Sequence, residues 1–159
     1  MKRKTFSLIL TVLFLALVLS ACTTLEDKVL SSLGECKSRE FYTEGAFQDY
    51  IDYAKYYYDL VDFTDNESFS KIGHSDIDVL NEHLDDFESW IETYREGDAS
   101  REIVVNYDFD RSLIDGEDYL HIESKQYDPW DDGNPVFANY TIYFFDIQTN
   151  TLYYFHNNI

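Results

Sequence analysis

The sequence predicts an α+β domain in which two N-terminal helices pack on one face of a roughly four-stranded antiparallel sheet. Two observations support this fold class. Apolar residues first recur at helical spacing and, after about residue 102, recur with period two. The period-two segments follow one another through short loops with no helix between them, which favours antiparallel pairing over a parallel sheet.

The first helix is predicted over residues 43–61. Its apolar residues follow steps of three and four: Phe47, Ile51, Ala54, Tyr58 and Val61. Further tyrosines lie beside this stripe, so about half of the helix circumference would be apolar at 100° per residue. We interpret this broad face as buried, with the tyrosine hydroxyls reaching water at its rim.

The second helix has clearer boundaries. Ser75 and Asp78 resemble a capping box at its start, and Gly97 can end it. Steps of three and four recur throughout its apolar stripe: Ile77, Leu80, Leu84, Phe87, Ile91 and Tyr94. Residues 62–73, between the two helices, are polar and are predicted to form a loop.

Four strands are expected after the helices. They are predicted over residues 103–109, 119–123, 136–147 and 151–156. The last two strands enclose Gln148-Thr149-Asn150, which predicts a hairpin because Asn tolerates the left-handed conformation of tight loops. This order of helices followed by a curved sheet is similar to the layout of cystatin-like and NTF2-like folds, although no motif of either family is present.

Composition excludes several classes of function. The 159 residues include 12 Lys and Arg against 31 Asp and Glu, a formal net charge of −19. Binding nucleic acid needs a basic surface, so we expect no nucleic-acid partner. Two cysteines are too few for a disulfide-rich scaffold or a four-thiolate zinc site. Aromatic residues make up 18% of the chain, which favours a folded core over disorder.

The N-terminus has the pattern of an export signal. Lys2, Arg3 and Lys4 precede an apolar run over residues 8–19, which is short for a membrane-spanning helix. The run ends in Leu19-Ser20-Ala21-Cys22, which resembles the lipobox of bacterial lipoproteins. The resemblance implies lipid attachment to the Cys22 thiol and cleavage before it. An uncleaved signal anchor and an ordinary secretory cleavage site are the alternatives.

This interpretation divides the chain into three parts. Residues 1–21 are the lipoprotein signal peptide, residues 22–38 form a lipidated tether able to include a short helix, and residues 39–159 form one globular domain. The mature chain keeps 9 basic and 31 acidic residues, a side-chain charge of −22. Anionic headgroups would repel such a domain, so acyl chains on Cys22 are expected to hold it at the cell membrane, on the extracytoplasmic side.

The sequence suggests two kinds of ligand site, one made of acidic and amide side chains and one made of aromatic side chains. Carboxylate and amide oxygens cluster in one loop and predict a calcium site: Asp128, Asp131, Asp132 and Asn134. The loop fails as an EF-hand, because Trp130 and Asn139 occupy ligand positions, and a solvated acidic turn is the alternative. Aromatic side chains that could stack on sugar rings are Tyr119, Tyr127 and Trp130. His121 and Glu123 share a strand face, but the sequence shows no third zinc ligand.

No motif of nucleophilic catalysis or phosphate binding is present. We therefore expect a membrane-anchored, non-enzymatic binding or envelope-interaction module with no catalytic residues and no cofactor beyond the calcium just considered. Its partner would be a cationic peptide, a basic protein or a glycan, attracted in the first two cases by the acidic surface. The alternative is a carbohydrate-active hydrolase that uses paired carboxylates.

Overall fold

A computed structural model describes residues 27–46, 49–125 and 139–158. The fold class is α+β, as predicted. Its helices are α1 (Lys28–Ser31), α2 (His74–Gly97) and α3 (Glu102–Asn106). Its strands are β1 (Ser38–Ala46), β2 (Asp49–Tyr57), β3 (Ser70–Lys71), β4 (Tyr119–Lys125), β5 (Asn139–Asp146) and β6 (Thr151–Asn158). A 3₁₀ turn covers Arg111–Leu113.

The strands form a single six-stranded sheet in the order β1-β2-β6-β5-β4-β3. Every neighbouring pair is antiparallel, which confirms the predicted type of sheet. The expected number of four strands is wrong, because β1, β2 and β3 were not predicted as strands and residues 103–109 do not form one. Most of β1 precedes the predicted helix, β2 lies inside it, and β3 lies in the segment 62–73 that was predicted to be a loop. Strands β2, β6, β5 and β4 are interior, whereas β1 and β3 form the edges.

The predicted helix over residues 43–61 is wrong. This segment holds the end of β1, all of β2 and the start of the following loop. Ile51, Asp52, Tyr53 and Ala54 are consecutive and all buried, because β2 lies between two strands and is covered on both faces. A strand buried on both faces loses its alternation of apolar and polar residues, so its sequence imitates a helix.

The predicted strand over residues 103–109 is also wrong. Residues 102–106 form α3, in which the adjacent side chains of Ile103 and Val104 are both buried. The Arg101 guanidinium lies 2.5 Å from Glu44 Oε1 and links the start of α3 to β1. Two adjacent buried side chains suit a short helix wedged beside the sheet better than a strand with one solvated face.

Helix α2 is confirmed. Its N-cap is Gly73, whose backbone N–H donates a hydrogen bond of 2.8 Å to the Asp76 carboxylate, so Asp76 takes the role predicted for the Ser75–Asp78 pair. Four apolar side chains of the predicted stripe are buried: Leu80, Leu84, Phe87 and Ile91. They pack with Ile51, Tyr53 and Phe155 into one hydrophobic cluster on the first face of the sheet.

The second face of the sheet has its own hydrophobic cluster. Helix α1 contributes Val29, the turn after it contributes Leu33, and the segment after β2 contributes further apolar residues. These pack against side chains of the interior strands: Ala54, Tyr56, Tyr143, Phe145 and Leu152. The sheet is therefore covered on both faces, by α2 and α3 on one and by α1 with residues 58–69 on the other.

The predicted hairpin between β5 and β6 is confirmed. Asn150 has φ 52°, in the left-handed region that Asn tolerates. The Asp146 carboxylate accepts a hydrogen bond of 2.8 Å from the Gln148 backbone N–H and one of 2.7 Å from the Thr149 hydroxyl. The turn is thus fixed by its own side chains, and it sets the register that aligns β5 with β6.

Candidate functional site

A line of polar residues crosses the second face of the sheet. We call it the polar row; its members are Thr43 on β1, Asp52 on β2, His156 on β6, Thr141 on β5 and Glu123 on β4. Each member lies directly opposite the next in the strand register. Directly opposed residues on antiparallel strands project to the same face, so five strands present polar groups side by side.

Along each strand, the side chains that share the face of the polar row change from polar at the row to apolar farther along. On β5 the residues that share its face are Thr141, Tyr143 and Phe145, of which the last two belong to the second hydrophobic cluster. On β2 the corresponding series runs from Asp52 to Ala54 and Tyr56. Period-two projection therefore gives this face an apolar end under α1 and a polar end beyond it.

His156 lies at the centre of the row. Its Nδ1 atom is 2.8 Å from Thr141 Oγ1, a hydrogen-bond distance. Its ring lies near two tyrosine rings, with centroids 5.4 Å from that of Tyr50 and 6.3 Å from that of Tyr154. The imidazole therefore lies beside two tyrosine rings, while one of its ring nitrogens is within hydrogen-bond distance of a hydroxyl.

A groove of about 260 Å³ opens beside the row, at its β4–β5–β6 end. Its lining residues carry carboxylate, amide and hydroxyl groups together with the imidazole: Glu123, Asn139, Tyr140, Thr141, His156 and Asn158. Hydrogen-bonding groups that converge on a concave surface are the usual means of fixing a polar ligand.

Burial changes the protonation of two members of the row. It raises the pKa of Asp52, although a hydrogen bond with Thr43 and the nearby His156 act in the opposite direction. It lowers the pKa of His156, although the charge of Asp52 raises it in part. Both side chains are therefore shifted toward their neutral forms. Of the two, His156 lines the groove, and a perturbed titratable group at a concave polar site is an indication of function.

The chemistry available at the row is hydrogen bonding and proton exchange. The imidazole and hydroxyl groups can donate or accept, and Glu123 supplies an exposed acceptor at one end. The tyrosine rings beside His156 add an apolar surface. This combination suits the binding of a polar ligand.

A second groove, of about 390 Å³, lies between the start of α2 and β4. His121 borders it, with Nδ1 2.5 Å from the Ser68 carbonyl oxygen and Nε2 3.4 Å from Glu123 Oε1. The predicted proximity of His121 and Glu123 is therefore present, but His156 is separated from His121 by β5. Within the described residues, no group of three or more His, Cys, Asp or Glu side chains is arranged to hold a metal ion.

Carboxylates also converge at the β5–β6 turn, where they stabilise loops. Asp118 is fully buried, and burial raises its pKa. One of its oxygens accepts a hydrogen bond of 2.9 Å from the Asp115 N–H and the other accepts one of 3.1 Å from the Ile147 N–H. These backbone bonds give Asp118 a structural role and do not favour the hydrolase alternative.

The site residues predicted from sequence fall in two groups. Tyr119 is described, and its ring stacks on Phe63 with centroids 3.9 Å apart, so one ring face is occupied. The others lie outside the described residues: Cys22, Tyr127, Asp128, Trp130, Asp131, Asp132 and Asn134.

The polar row was not predicted from sequence. Asp52 and His156 are polar residues inside apolar segments, which is a local signal, but only the strand register shows that they are neighbours.

No family model matches the chain, and comparisons with curated proteins and with solved structures give no significant match.

Proposed function

We propose that the chain is a membrane-anchored extracytoplasmic lipoprotein whose acidic domain is a non-enzymatic binding module. The anchor is supported by the sequence Leu19-Ser20-Ala21-Cys22 at the end of the apolar run. Several acyl chains on one cysteine hold a protein firmly, whereas a single chain holds it weakly. Among the helices that the structure describes, none is long and apolar enough to cross a membrane.

The polar row is the observation that supports binding. A covered sheet face normally carries apolar side chains, and polar residues buried there need a compensating role. Asp52 is 8% exposed and Thr141 is 7% exposed, yet they lie in line with the solvent-exposed Glu123. The row thus connects buried polar groups to an open groove, which is the arrangement of a binding site.

The charge balance favours a cationic peptide or basic protein as the partner. Six basic side chains are already paired with carboxylates: Lys37, Lys55, Lys71, Arg95, Arg101 and Arg111. Within the described part of the chain, most of the remaining carboxylates are exposed and have no ion pair with a basic residue, so the domain has a strong negative field. This field would speed the approach of a cationic partner, and salt would weaken it.

Metabolic labelling with an alkyne-bearing fatty acid tests the anchor. Cys22→Ala should abolish labelling and leave the signal peptide uncleaved. Cys36→Ala, which removes the other cysteine of the chain, should label normally. Labelling that persists in Cys22→Ala would contradict the anchor.

Capture from envelope extract tests the binding surface. The mature chain should retain a basic partner at low salt and release it at high salt. A variant carrying Glu123→Gln and His156→Ala should lose the partner, whereas Glu82→Gln, an exposed carboxylate on α2, should keep it. A partner retained by the first variant would refute the row as the binding surface, and one insensitive to salt would refute electrostatic attraction.

A further inference from the structure

The start of the described chain is attached to the second face of the sheet. Asp27 accepts a hydrogen bond of 2.8 Å from the Tyr143 hydroxyl on β5. Val29 and Leu33 are each 6% exposed and belong to the second hydrophobic cluster. The Asn66 side-chain amide, in the loop after β2, donates a hydrogen bond of 3.2 Å to the Ser32 carbonyl oxygen. The chain is therefore held against the sheet from Asp27 onward.

This attachment leaves a very short connection to the proposed lipid. Residues 23–26 alone separate Cys22 from Asp27. Five steps along an extended chain span at most about 18 Å. A connection no longer than this cannot let a domain tumble freely above the bilayer. This inference rests on the proposed acylation of Cys22. If Cys22 carries the lipid, the attachment of Asp27 to the sheet fixes which side of the domain is nearest to the membrane.

We propose that the domain rests on the membrane through its tether face, defined by α1, Arg39, Phe41 and Leu60, with α2 turned away from the lipid. The strand register places Arg39 and Phe41 opposite Tyr56 and Ala54, which lie in the second hydrophobic cluster, so all four share the second face. Leu60 follows β2, in the segment that covers this face.

Exposed side chains of the tether face suit a lipid surface. Phe41 is 47% exposed and Leu60 is 81% exposed. Lys28 on α1 and Arg39 on β1 are exposed basic residues in a strongly acidic protein. Basic side chains next to an anionic leaflet are attracted to it, and apolar side chains can enter the headgroup region.

The opposite side of the domain also exposes apolar side chains, Val79 and Val105, but its charged surface is mainly acidic. Helix α2 presents exposed carboxylates that include Asp78, Glu82 and Glu96. Anionic headgroups repel these carboxylates. The tether side also carries exposed carboxylates, such as Glu35 and Asp65, so the orientation follows mainly from the short tether. The polar row shares the sheet face of α1. A partner that binds the polar row would therefore bind close to the membrane surface.

Energy transfer to labelled headgroups tests this orientation in the acylated protein. A donor dye is placed at Glu35→Cys, just after α1, or at Glu82→Cys on α2, each with Cys36→Ser and reconstituted in vesicles with acceptor lipids. Both positions are exposed, and both changes remove one negative charge. The sheet and helix layers separate the two positions, so transfer from position 35 should be about twofold or more the efficiency of transfer from position 82.

A linker insertion serves as the control. Twenty Gly and Ser residues inserted after Thr24 give a flexible connection of about 25 Å, which should bring the two efficiencies together. Equal efficiencies without the insertion would overturn the orientation, and a difference that survives the insertion would overturn the short connection as its cause. A protein that is not acylated at all would instead refute the anchor on which the orientation rests.

Discussion

The Tyr143 hydroxyl donates a hydrogen bond of 2.8 Å to Asp27 Oδ2 and so ties the beginning of α1 to an interior strand. The other oxygen of the same carboxylate accepts hydrogen bonds of 2.9 and 3.0 Å from the N–H groups of Val29 and Leu30. One side chain therefore both caps α1 and fixes it to the sheet. A four-residue helix has little stability alone, so this attachment is what gives it a defined position.

Asp27→Ala should destabilise the mature chain by about 2 kcal/mol, because it removes the cap and leaves the buried Tyr143 hydroxyl without its acceptor. Tyr143→Phe removes one hydrogen bond and leaves the cap intact, so its effect should be about 1 kcal/mol or less. Urea denaturation gives both values. Asp65→Ala, at an exposed carboxylate in the loop after β2, is the control and should change stability by less than about 0.5 kcal/mol. A loss for Asp27→Ala no larger than this control would contradict the role of Asp27.

Lys55 joins β2 to both β1 and the segment after α3. Its ammonium lies 2.8 Å from the Asp108 carboxylate and 3.0 Å from that of Glu40. The hydrogen bond with Lys55 lowers the pKa of Glu40. Burial alone would raise the pKa of Asp108, but hydrogen bonds from Lys55 and Tyr53 lower it. Both carboxyl groups thus bind protons less readily in the folded state.

The stability that these pairs provide should therefore be complete above the ordinary pKa of a carboxyl group, and should fall as the pH drops through the lowered folded-state values. Lys55→Met should destabilise the protein by about 1 kcal/mol at pH 7, since the carboxylates are partly exposed. It should also flatten the decline in stability between pH 5 and pH 3. Thermal unfolding across this range measures both effects, and Lys71→Met, which removes an exposed ion pair with Glu117, should leave the decline unchanged.

The parts of the fold that the sequence predicted carry a local signal of their own. Helix α2 alternates a buried stripe with exposed carboxylates, and the β5–β6 hairpin has the turn residue Asn150 between two clear strands. Strand β2 offers no such contrast, because both of its faces are covered and its tyrosines suit a helix or a strand equally well. Its identity as a strand depends on pairing with β1 on one side and with β6 on the other. β6 lies far from β2 in the sequence.

The candidate site could not be predicted from the sequence either, because it also depends on how the strands pair. Asp52 and His156 are 104 positions apart, and neither stands in a recognisable motif. A shift of one residue in the register would place one of them on the opposite face of the sheet. The sequence reveals polar residues in apolar strands, whereas their alignment is a property of the complete sheet.

Of the two glycines with positive φ in the described residues, Gly45 should tolerate substitution less well than Gly34. It has φ 133°, and a Cβ atom there would lie 2.2 Å from the Asp49 carbonyl oxygen. Gly34 has φ 81° but open space around the position of a Cβ atom. Both Ala variants carry the strain of a left-handed backbone, about 1 kcal/mol. Gly45→Ala should lose clearly more stability than Gly34→Ala in urea denaturation, and equal losses would show that the contact near Asp49 is easily relieved.

Asp52→Asn should change how the stability of the protein depends on pH. Burial raises the pKa of Asp52, so the folded state binds its proton more tightly than the unfolded state does. Stability due to this group is then highest at acidic pH and falls as the pH rises from the unfolded-state pKa through the folded-state value. Asp52→Asn removes the buried charge and can still accept a hydrogen bond from Thr43. It should therefore raise stability at pH 7 and leave stability at pH 3 almost unchanged.

The same substitution should be visible at His156. Burial lowers the pKa of its imidazole and the charge of Asp52 partly restores it, so NMR titration should give a midpoint below 6.5 that falls further in Asp52→Asn. Asp49→Asn removes an exposed carboxylate from the same strand and should move the midpoint less. A midpoint that stays fixed in Asp52→Asn, or shifts equally in the two variants, would show that Asp52 and His156 do not interact across the sheet. Because their coupling depends on the register of β2 against β6, the titration also tests the alignment that creates the polar row.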